Sequence, residues 1–131
     1  MTVTSSKIRV FIPGNVPSSK NNKQWTGRYL VWSKAAQKYR KDTKEHWKQH
    51  FSDFRKVVEN EIFKGRVPIR IHFLFVRKSK HKFDYPNPLQ TVLDLMVEFQ
   101  WIPDDNADVV LPIFDEYVYN KEQPGVYITI F

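Results

Sequence analysis

Carboxylates stand on both sides of one segment that has helical periodicity. Asp84 lies just before the segment, Asp94 lies within it, and Asp104 and Asp105 lie just after it. Clustered carboxylates suit Mg²⁺, because the ion binds hard oxygen ligands and keeps several waters. A metal held in this way polarises a phosphate and helps to activate water for hydrolysis. A purely structural interpretation stays open, since Asp and Asn are also common turn residues.

The helical segment decides whether these carboxylates can meet. Asn87 is a suitable N-cap, Pro88 suits the first helical position, and Gln90 completes a capping box. One face is an apolar stripe of Leu89, Val92, Leu93, Met96 and Val97. At 100° per residue, the opposite face holds Asn87, Gln90, Asp94 and Glu98. Asp84 and Asp105 are about 20 residues apart, so they converge only if the chain before this helix packs beside the chain after it.

Alternating residues predict strands at both ends of the chain and in its middle. The first runs from Lys7 to Ile12, and the clearest runs from Val67 to Val76, with Ile69, Ile71, Phe73 and Phe75 on one face. Segments 109–119 and 126–131 are interpreted as two closing strands with an antiparallel arrangement.

A long helical segment precedes the central strand. Ser33 is suited to cap a helix that reaches about Phe51, and Ser52-Asp53 is expected to break or bend it. A second helical stretch then ends near Lys64 and Gly65. Strands that flank helices at both ends indicate one α+β domain over residues 1–131, with a mixed, mainly antiparallel sheet packed with helices.

The charge balance favours a polyanionic partner. There are 21 Lys and Arg against 14 Asp and Glu, a formal net charge of +7, and basic side chains that neutralise phosphates release condensed counterions. A basic loop with Arg77, Lys78, Lys80 and Lys82 directly precedes Asp84, so we expect it to contact phosphate. The lysine-rich face from Lys34 to Lys48 leaves two interpretations open: it follows a DNA arm, or it only keeps the helix soluble.

Several classes of protein are excluded by composition. The chain has no cysteine, which excludes disulfides, thiolate zinc sites and a cysteine nucleophile. Residues 1–7 lack the apolar stretch of a signal peptide, and no segment has the length and apolarity of a membrane span. We therefore expect a cytoplasmic protein.

Three motifs lie in order between Asp84 and Asp105, at a spacing that matches a known pattern without insertion or deletion. They are Asp84-Tyr85-Pro86-Asn87-Pro88-Leu89-Gln90, then Asp94-Leu95, then Trp101-Ile102-Pro103-Asp104-Asp105. Their spacing resembles the RusA family of Holliday junction resolvases, whose pattern is roughly Asp-x-Asp-Asn-x-x-Lys, a helical Asp four residues on, and an ending Gly-Trp/Phe-x-x-Asp-Asp. The loop from Pro17 to Asn22 and the strand after Pro124 also resemble the family, so the similarity spans nearly the whole chain.

The resemblance implies a small homodimeric α+β endonuclease that uses Mg²⁺, or Mn²⁺, to cut branched duplex DNA. It places the protein in the cytoplasm of a bacterium or a phage-infected host, in recombination, repair or phage replication. It implies that Asp84 and Asp105 bind metal, that Asp94 and Asp104 accompany them, and that Asn87 is the motif Asn. The family's N-terminal loop corresponds here to Lys20, Asn21 and Asn22, which we expect to contact DNA. The continuous spacing argues against a small basic protein with no nucleic-acid role.

Two residues depart from the family pattern. Pro86 replaces the second Asp and cannot ligate through its side chain, and Gln90 replaces the Lys. Asp94, Asp104 or the Asn87 amide oxygen would then complete the metal site, and Lys20, Lys80 or Lys82 would supply the positive charge. The alternative is a protein that binds junctions but cuts them poorly.

Overall fold

A computed structural model describes residues 7–18, 23–25 and 30–131 of the chain. Two helices and seven strands follow one another in these ranges. They are β1 (Ile8–Pro13), β2 (Lys23–Trp25), β3 (Leu30–Trp32), α1 (Lys34–Phe63), β4 (Ile69–Arg77), α2 (Pro86–Glu98), β5 (Val110–Phe114), β6 (Val118–Tyr119) and β7 (Gly125–Ile130).

The main sheet is mixed and has β4 at its centre. Its order is β1-β7-β4-β5, and β6 pairs with the last residues of β4. β7 runs antiparallel to both β1 and β4, whereas β5 and β6 run parallel to β4. The predicted face of β4 is buried, with Phe73 and Phe75 fully inaccessible. The expected α+β class and mixed sheet are thus confirmed, while the small antiparallel β2–β3 pair was not predicted.

α1 is one unbroken helix of 30 residues, so the break expected at Ser52-Asp53 is wrong. Its start is as predicted, because Ser33 Oγ accepts a hydrogen bond of 3.2 Å from the Ala36 N–H. The helix continues because Trp47, Phe54 and Val58 keep one buried face across the exposed Ser52-Asp53. It ends at Lys64 and the left-handed Gly65, as the sequence indicates.

α2 begins earlier than the capping motif predicted. Its N-cap position is Tyr85, which makes no side-chain capping bond, and Pro86 occupies the first turn. Proline is well suited to that position, since its fixed φ is helical and no partner is needed there for an N–H. The prediction of an Asn87 cap with a Gln90 capping box is therefore wrong.

The parallel pairing of β5 corrects the expected antiparallel tail. The chain leaves β4, crosses over through α2 and returns beside β4 in the same direction, which is the connection that parallel strands require. The Asp115 N–H, just beyond β5, donates to Phe73 O at 3.1 Å. β7 then lies on the other side of β4, so the two closing strands are not neighbours.

Both helices share one apolar core with the sheet. Neither helix of the described ranges is long and apolar enough to cross a membrane.

Candidate active site

The outer face of α2 carries the polar side chains that the helical periodicity predicted. Gln90 and Glu98 are exposed, and Asn87 and Asp94 are half-buried. The Gln90 amide Nε2 donates to Asp94 Oδ1 at 2.9 Å. Gln90 stands where the family pattern has Lys. It therefore orients the Asp94 carboxylate with a neutral amide donor instead of a charged ammonium group.

A tight reversal brings the chain back after α2. Gln100 has φ +64°, in the left-handed region that glycine usually occupies at the end of a helix. The Trp101 N–H then donates to Met96 O at 2.8 Å. This geometry turns the Asp104-Asp105 segment back toward the helix that precedes it.

Trp101 anchors the reversal in the core. Its ring is fully buried, with its centroid 4.9 Å from the Trp47 ring and 4.7 Å from the Phe54 ring. The indole Nε1 donates to Trp47 O at 2.8 Å, which satisfies its only hydrogen-bond donor. The position of the acidic turn is thus tied to the middle of α1.

Asp104 organises the turn itself. Its carboxylate accepts hydrogen bonds from the Asp105 N–H at 2.7 Å and from Asn106 Nδ2 at 3.0 Å. These bonds favour the ionised form and lower the pKa of Asp104. Asp104 is therefore a fixed anion beside Asp105.

The pKa of Asp105 is shifted in the opposite direction to that of Asp104. Asp105 is half-buried, and its pKa is raised first by that burial, then by hydrogen bonding and charge repulsion from Asp104, and then by the charge of Asp94. Asp94, Asp104 and Asp105 therefore form one electrostatic group, which we call the carboxylate cluster. A half-buried carboxylate whose pKa is raised by neighbouring carboxylates is a setting in which a bound cation is stabilising.

Asp84 is exposed at the start of α2. It precedes the first turn of α2, where its carbonyl accepts a hydrogen bond from the Asn87 N–H at 3.1 Å. It is not among the groups that shift the pKa of Asp105. Over the residues that the structure describes, no three His, Asp or Glu side chains come close enough to hold a metal ion together. Electrostatic interaction thus relates three of the four expected aspartates, and Asp84 precedes the first residue of α2 by two positions.

An aromatic group that the sequence analysis missed fixes the chain around Asp84. The Tyr85 ring stacks on Phe114 with centroids 4.8 Å apart, and its hydroxyl accepts from the Tyr117 N–H at 3.0 Å. The Phe83 ring meets Tyr117 edge-on at 5.1 Å. The signal was present in the sequence, because aromatic residues flank Asp84 on both sides and recur just after β5.

The basic loop after β4 is largely on the surface. Lys78, Lys80 and Lys82 are exposed, and Lys80 Nζ lies 5.3 Å from the centroid of the Tyr119 ring. The Lys78 N–H donates to Asn15 Oδ1 at 2.9 Å, which ties this loop to the one that follows β1. The expected DNA-contacting residues Lys20, Asn21 and Asn22 lie outside the described residues.

Arg77 differs from the lysines of the same run. It is only 7% exposed, and its guanidinium donates to Val16 O at 2.6 Å and to Ser18 Oγ at 3.0 Å. It also lies over the Phe83 ring, 4.6 Å from the centroid. Burial lowers its pKa. Arg77 is therefore occupied inside the fold, where it fixes the loop after β1.

Comparison with known families gives the same assignment as the motifs. The family model of the endodeoxyribonuclease RusA matches residues 13–131 and so includes α1, α2 and the carboxylate cluster. No curated protein matches the chain. The match implies an endonuclease of the kind that resolves Holliday junctions, in a family that generally depends on divalent metal. The chain belongs to the RusA endodeoxyribonuclease family.

Proposed function

We propose that the protein is a metal-dependent, structure-selective endonuclease that cuts Holliday junctions or other branched DNA in recombination, repair or phage replication. The observation that carries the proposal is the RusA family match over residues 13–131, which includes the half-buried Asp105. Burial, and then the neighbouring Asp104 and Asp94, raise the pKa of Asp105. Like charges held this close destabilise one another unless a cation neutralises them.

The donor set of the carboxylate cluster fits a small divalent cation. Mg²⁺ is usually held by one or two carboxylates together with waters and substrate phosphates, and Mn²⁺ takes the same oxygen ligands. Asp105, Asp94, Asp104 and the Asn87 amide oxygen would supply the ligands. Because no three carboxylates of the described residues are close enough to hold a metal ion together, these side chains would have to move closer when metal binds. Such a cation would supply Lewis acidity toward a phosphate oxygen.

The protein's own residues position the substrate and the ligands. Gln90 orients Asp94 through its 2.9 Å hydrogen bond. Lys80 and Lys82 are exposed just before Asp84, where their ammonium groups can receive backbone phosphates. We assign Asp84 as the remaining catalytic carboxylate, at the end of α2 that faces this basic loop. We further propose a homodimer, because symmetric cutting of a junction requires two sites.

Cleavage of matched substrates tests the proposal. Purified protein is incubated with a four-way junction and with a linear duplex of the same sequence, in Mg²⁺, in Mn²⁺ and in EDTA. We expect nicks that require metal and are confined to the junction. Equal cutting of both DNAs would contradict structure selectivity, and cutting in EDTA would contradict metal dependence.

A second candidate function is junction binding with little cleavage. It is favoured by the lack of a three-ligand group among the described residues and by the neutral Gln90 beside Asp94. Pro86 is exposed in the first turn of α2, where an Asp is favourable because of the helix dipole. If the site is impaired, Pro86→Asp raises the nicking rate whereas Pro86→Ala does not. A lower rate in Pro86→Asp alone would show that the existing site is already competent.

A further inference from the structure

Charge is distributed unevenly along α1. Its first half, residues 34–48, carries six Lys or Arg against two acidic residues. Its second half, residues 49–63, carries two basic residues against three acidic ones. A helix that needed charge only for solubility has no reason to separate it in this way, since solubility depends on the whole surface.

Four lysines of the first half lie in one line on the solvent side of the helix. At 100° per residue they span an arc of about 80° that is centred opposite the buried Ala36 and Thr43. Along the axis they span about 21 Å, which is the rise of roughly six base pairs of duplex DNA. We call them the lysine stripe: Lys34, Lys38, Lys41 and Lys48.

Little of this charge is neutralised within the fold. Lys38 pairs with Asp42 at 2.6 Å, and Lys48 lies 4.0 Å from Glu45. Both pairs are exposed, and exposed pairs of this kind are weak and easily exchanged. Within the described residues, Lys34 and Lys41 have no carboxylate partner.

The stripe lies at the same end of the sheet as the basic loop. A Cβ built on Gly14 would be 3.6 Å from Thr43 Cγ2, so the chain just after β1 packs against the first half of α1. In the same loop Asn15 accepts the hydrogen bond from Lys78. At the opposite end, Arg66 pairs with Glu61 at 2.9 Å, just before β4 begins. The first half of α1 therefore lies toward the end of β4 at which the basic loop begins.

The carboxylate cluster borders the same half of α1. Glu98, one helical turn after Asp94, accepts two hydrogen bonds from Arg40 Nε, at 2.9 and 2.8 Å. Arg40 belongs to the basic half and lies between the stripe and α2. A DNA backbone that passes from the carboxylate cluster toward α1 would therefore come next to the basic half of that helix.

We propose that the lysine stripe is a second phosphate-binding surface, along which one duplex arm lies as it leaves the active site. The inference rests on the proposed function, because it takes branched duplex DNA as the substrate. It adds a contact to the arm that is separate from the basic loop and the carboxylate cluster.

Two matched double variants test the surface. Lys34→Gln with Lys41→Gln removes two lysines of the stripe, and Lys56→Gln with Lys64→Gln removes two exposed lysines at the other end of α1. Neither pair of lysines has a carboxylate partner in the part of the chain that the structure describes. The two variants therefore lose the same charge, and circular dichroism verifies that both keep the fold.

The measurement is the dissociation constant for a four-way junction with 20-base-pair arms, in EDTA, as a function of salt. Each phosphate contact contributes about 0.9 to the slope of log K against log salt. For the stripe variant we expect a slope smaller by about two and affinity on the order of 50-fold weaker at 0.1 M salt. For the Lys56 and Lys64 variant we expect the slope of the unmodified protein. Equal slopes in both variants overturn the proposal.

Cleavage separates this inference from the proposed function. Metal-dependent nicking by the unmodified protein is scored separately. If it fails while the slopes differ as expected, the proposed catalysis fails and the binding surface stands. If nicking occurs and the two slopes are equal, the lysine stripe is overturned as a binding surface and the proposed catalysis stands.

Discussion

The outer surfaces of the two helices carry opposite charges although both helices pack on one core. α2 contains two acidic residues and no basic one, whereas the first half of α1 contains six basic residues and two acidic ones. The two surfaces meet at Arg40 and Glu98, whose closest atoms are 2.6 Å apart. The acidic surface suits a cation, and the basic surface suits phosphates.

The difference shows how a small domain can keep both kinds of charge. Mixed evenly, they would neutralise one another in weak surface pairs. Separated on neighbouring helices, they leave a carboxylate cluster that repels itself and a lysine stripe that has few internal partners. Under the proposed function, a metal ion would neutralise the carboxylate cluster and DNA phosphates would neutralise the lysine stripe, so the comparison predicts coupling between the two ligands.

The largest expected effect is loss of catalysis in Asp105→Asn. This change removes the central carboxylate of the acidic surface, and we expect the nicking rate to fall by about 10²–10³-fold. The measurement is single-turnover cleavage of a four-way junction in Mg²⁺. Asp53→Asn, at an exposed position on α1, is the control and should retain full activity.

Asp105→Asn should be at least as stable as the unmodified protein. Burial and neighbouring carboxylates raise the pKa of Asp105, so the folded state loses stability as pH rises through that range and the group ionises. At neutral pH, Asn lacks this unfavourable charge. Urea unfolding should therefore give a free energy of unfolding at least equal to that of the unmodified protein. A clear loss of stability together with activity would indicate a structural role instead.

The next effect in size concerns the anchor that joins the acidic turn to α1. Trp101→Phe deletes the indole donor to Trp47 O and leaves a small void in the core. We expect about 1–3 kcal/mol lower stability in urea unfolding. Cleavage per folded molecule should also fall, because the turn that holds Asp105 loses its fixed position. Trp32→Phe, at a half-buried residue outside this contact, should leave cleavage unchanged.

Local patterns in the sequence predicted the elements better than their partners. The alternation in β4 and the Ser33 cap of α1 are properties of neighbouring residues, and both were confirmed. The parallel pairing of β5 was missed, since the same alternation suits either strand direction. The predicted helix between β4 and β5 could have indicated the parallel pairing, because parallel neighbours need a crossover connection of this kind.

The active site follows the same rule. Spacing placed Asp94 on the polar face of α2, where it could extend a site formed by Asp84 and the acidic turn, and the pKa of Asp105 responds to Asp104 and Asp94. The site itself stays a prediction. Arg77 was interpreted as part of a surface run. It is in phase with the buried face of β4, two residues after Phe75, and periodicity extended by one step would have indicated its burial. The left-handed Gln100 has no signal in the sequence, since its backbone conformation is set by the reversal that Trp101 anchors.

A smaller effect is expected from relieving the backbone at Gln100. A non-glycine residue in the left-handed region costs about 1–2 kcal/mol, and part of this is offset by the greater freedom of glycine in the unfolded chain. Gln100→Gly should therefore raise the free energy of unfolding by roughly 0.5–1 kcal/mol. Gln49→Gly, at an exposed position within α1, should instead lower it by about 1 kcal/mol. Urea unfolding of the two variants shows whether the free energy of unfolding rises in Gln100→Gly and falls in Gln49→Gly.

The smallest effect comes from the boundary between the two surfaces. Glu98→Gln breaks the ion pair with Arg40, and because both side chains are more than a third exposed, the loss of stability should stay below about 1 kcal/mol. The freed Arg40 should add up to about one to the salt slope of junction binding. Glu59→Gln breaks the pair with Arg55 in the second half of α1, where the two atoms are 2.6 Å apart. It should cost similar stability and leave the salt slope unchanged, because the proposed DNA arm lies along the other half of the helix. A rise in slope in both variants would show that the charge separation along α1 does not control binding.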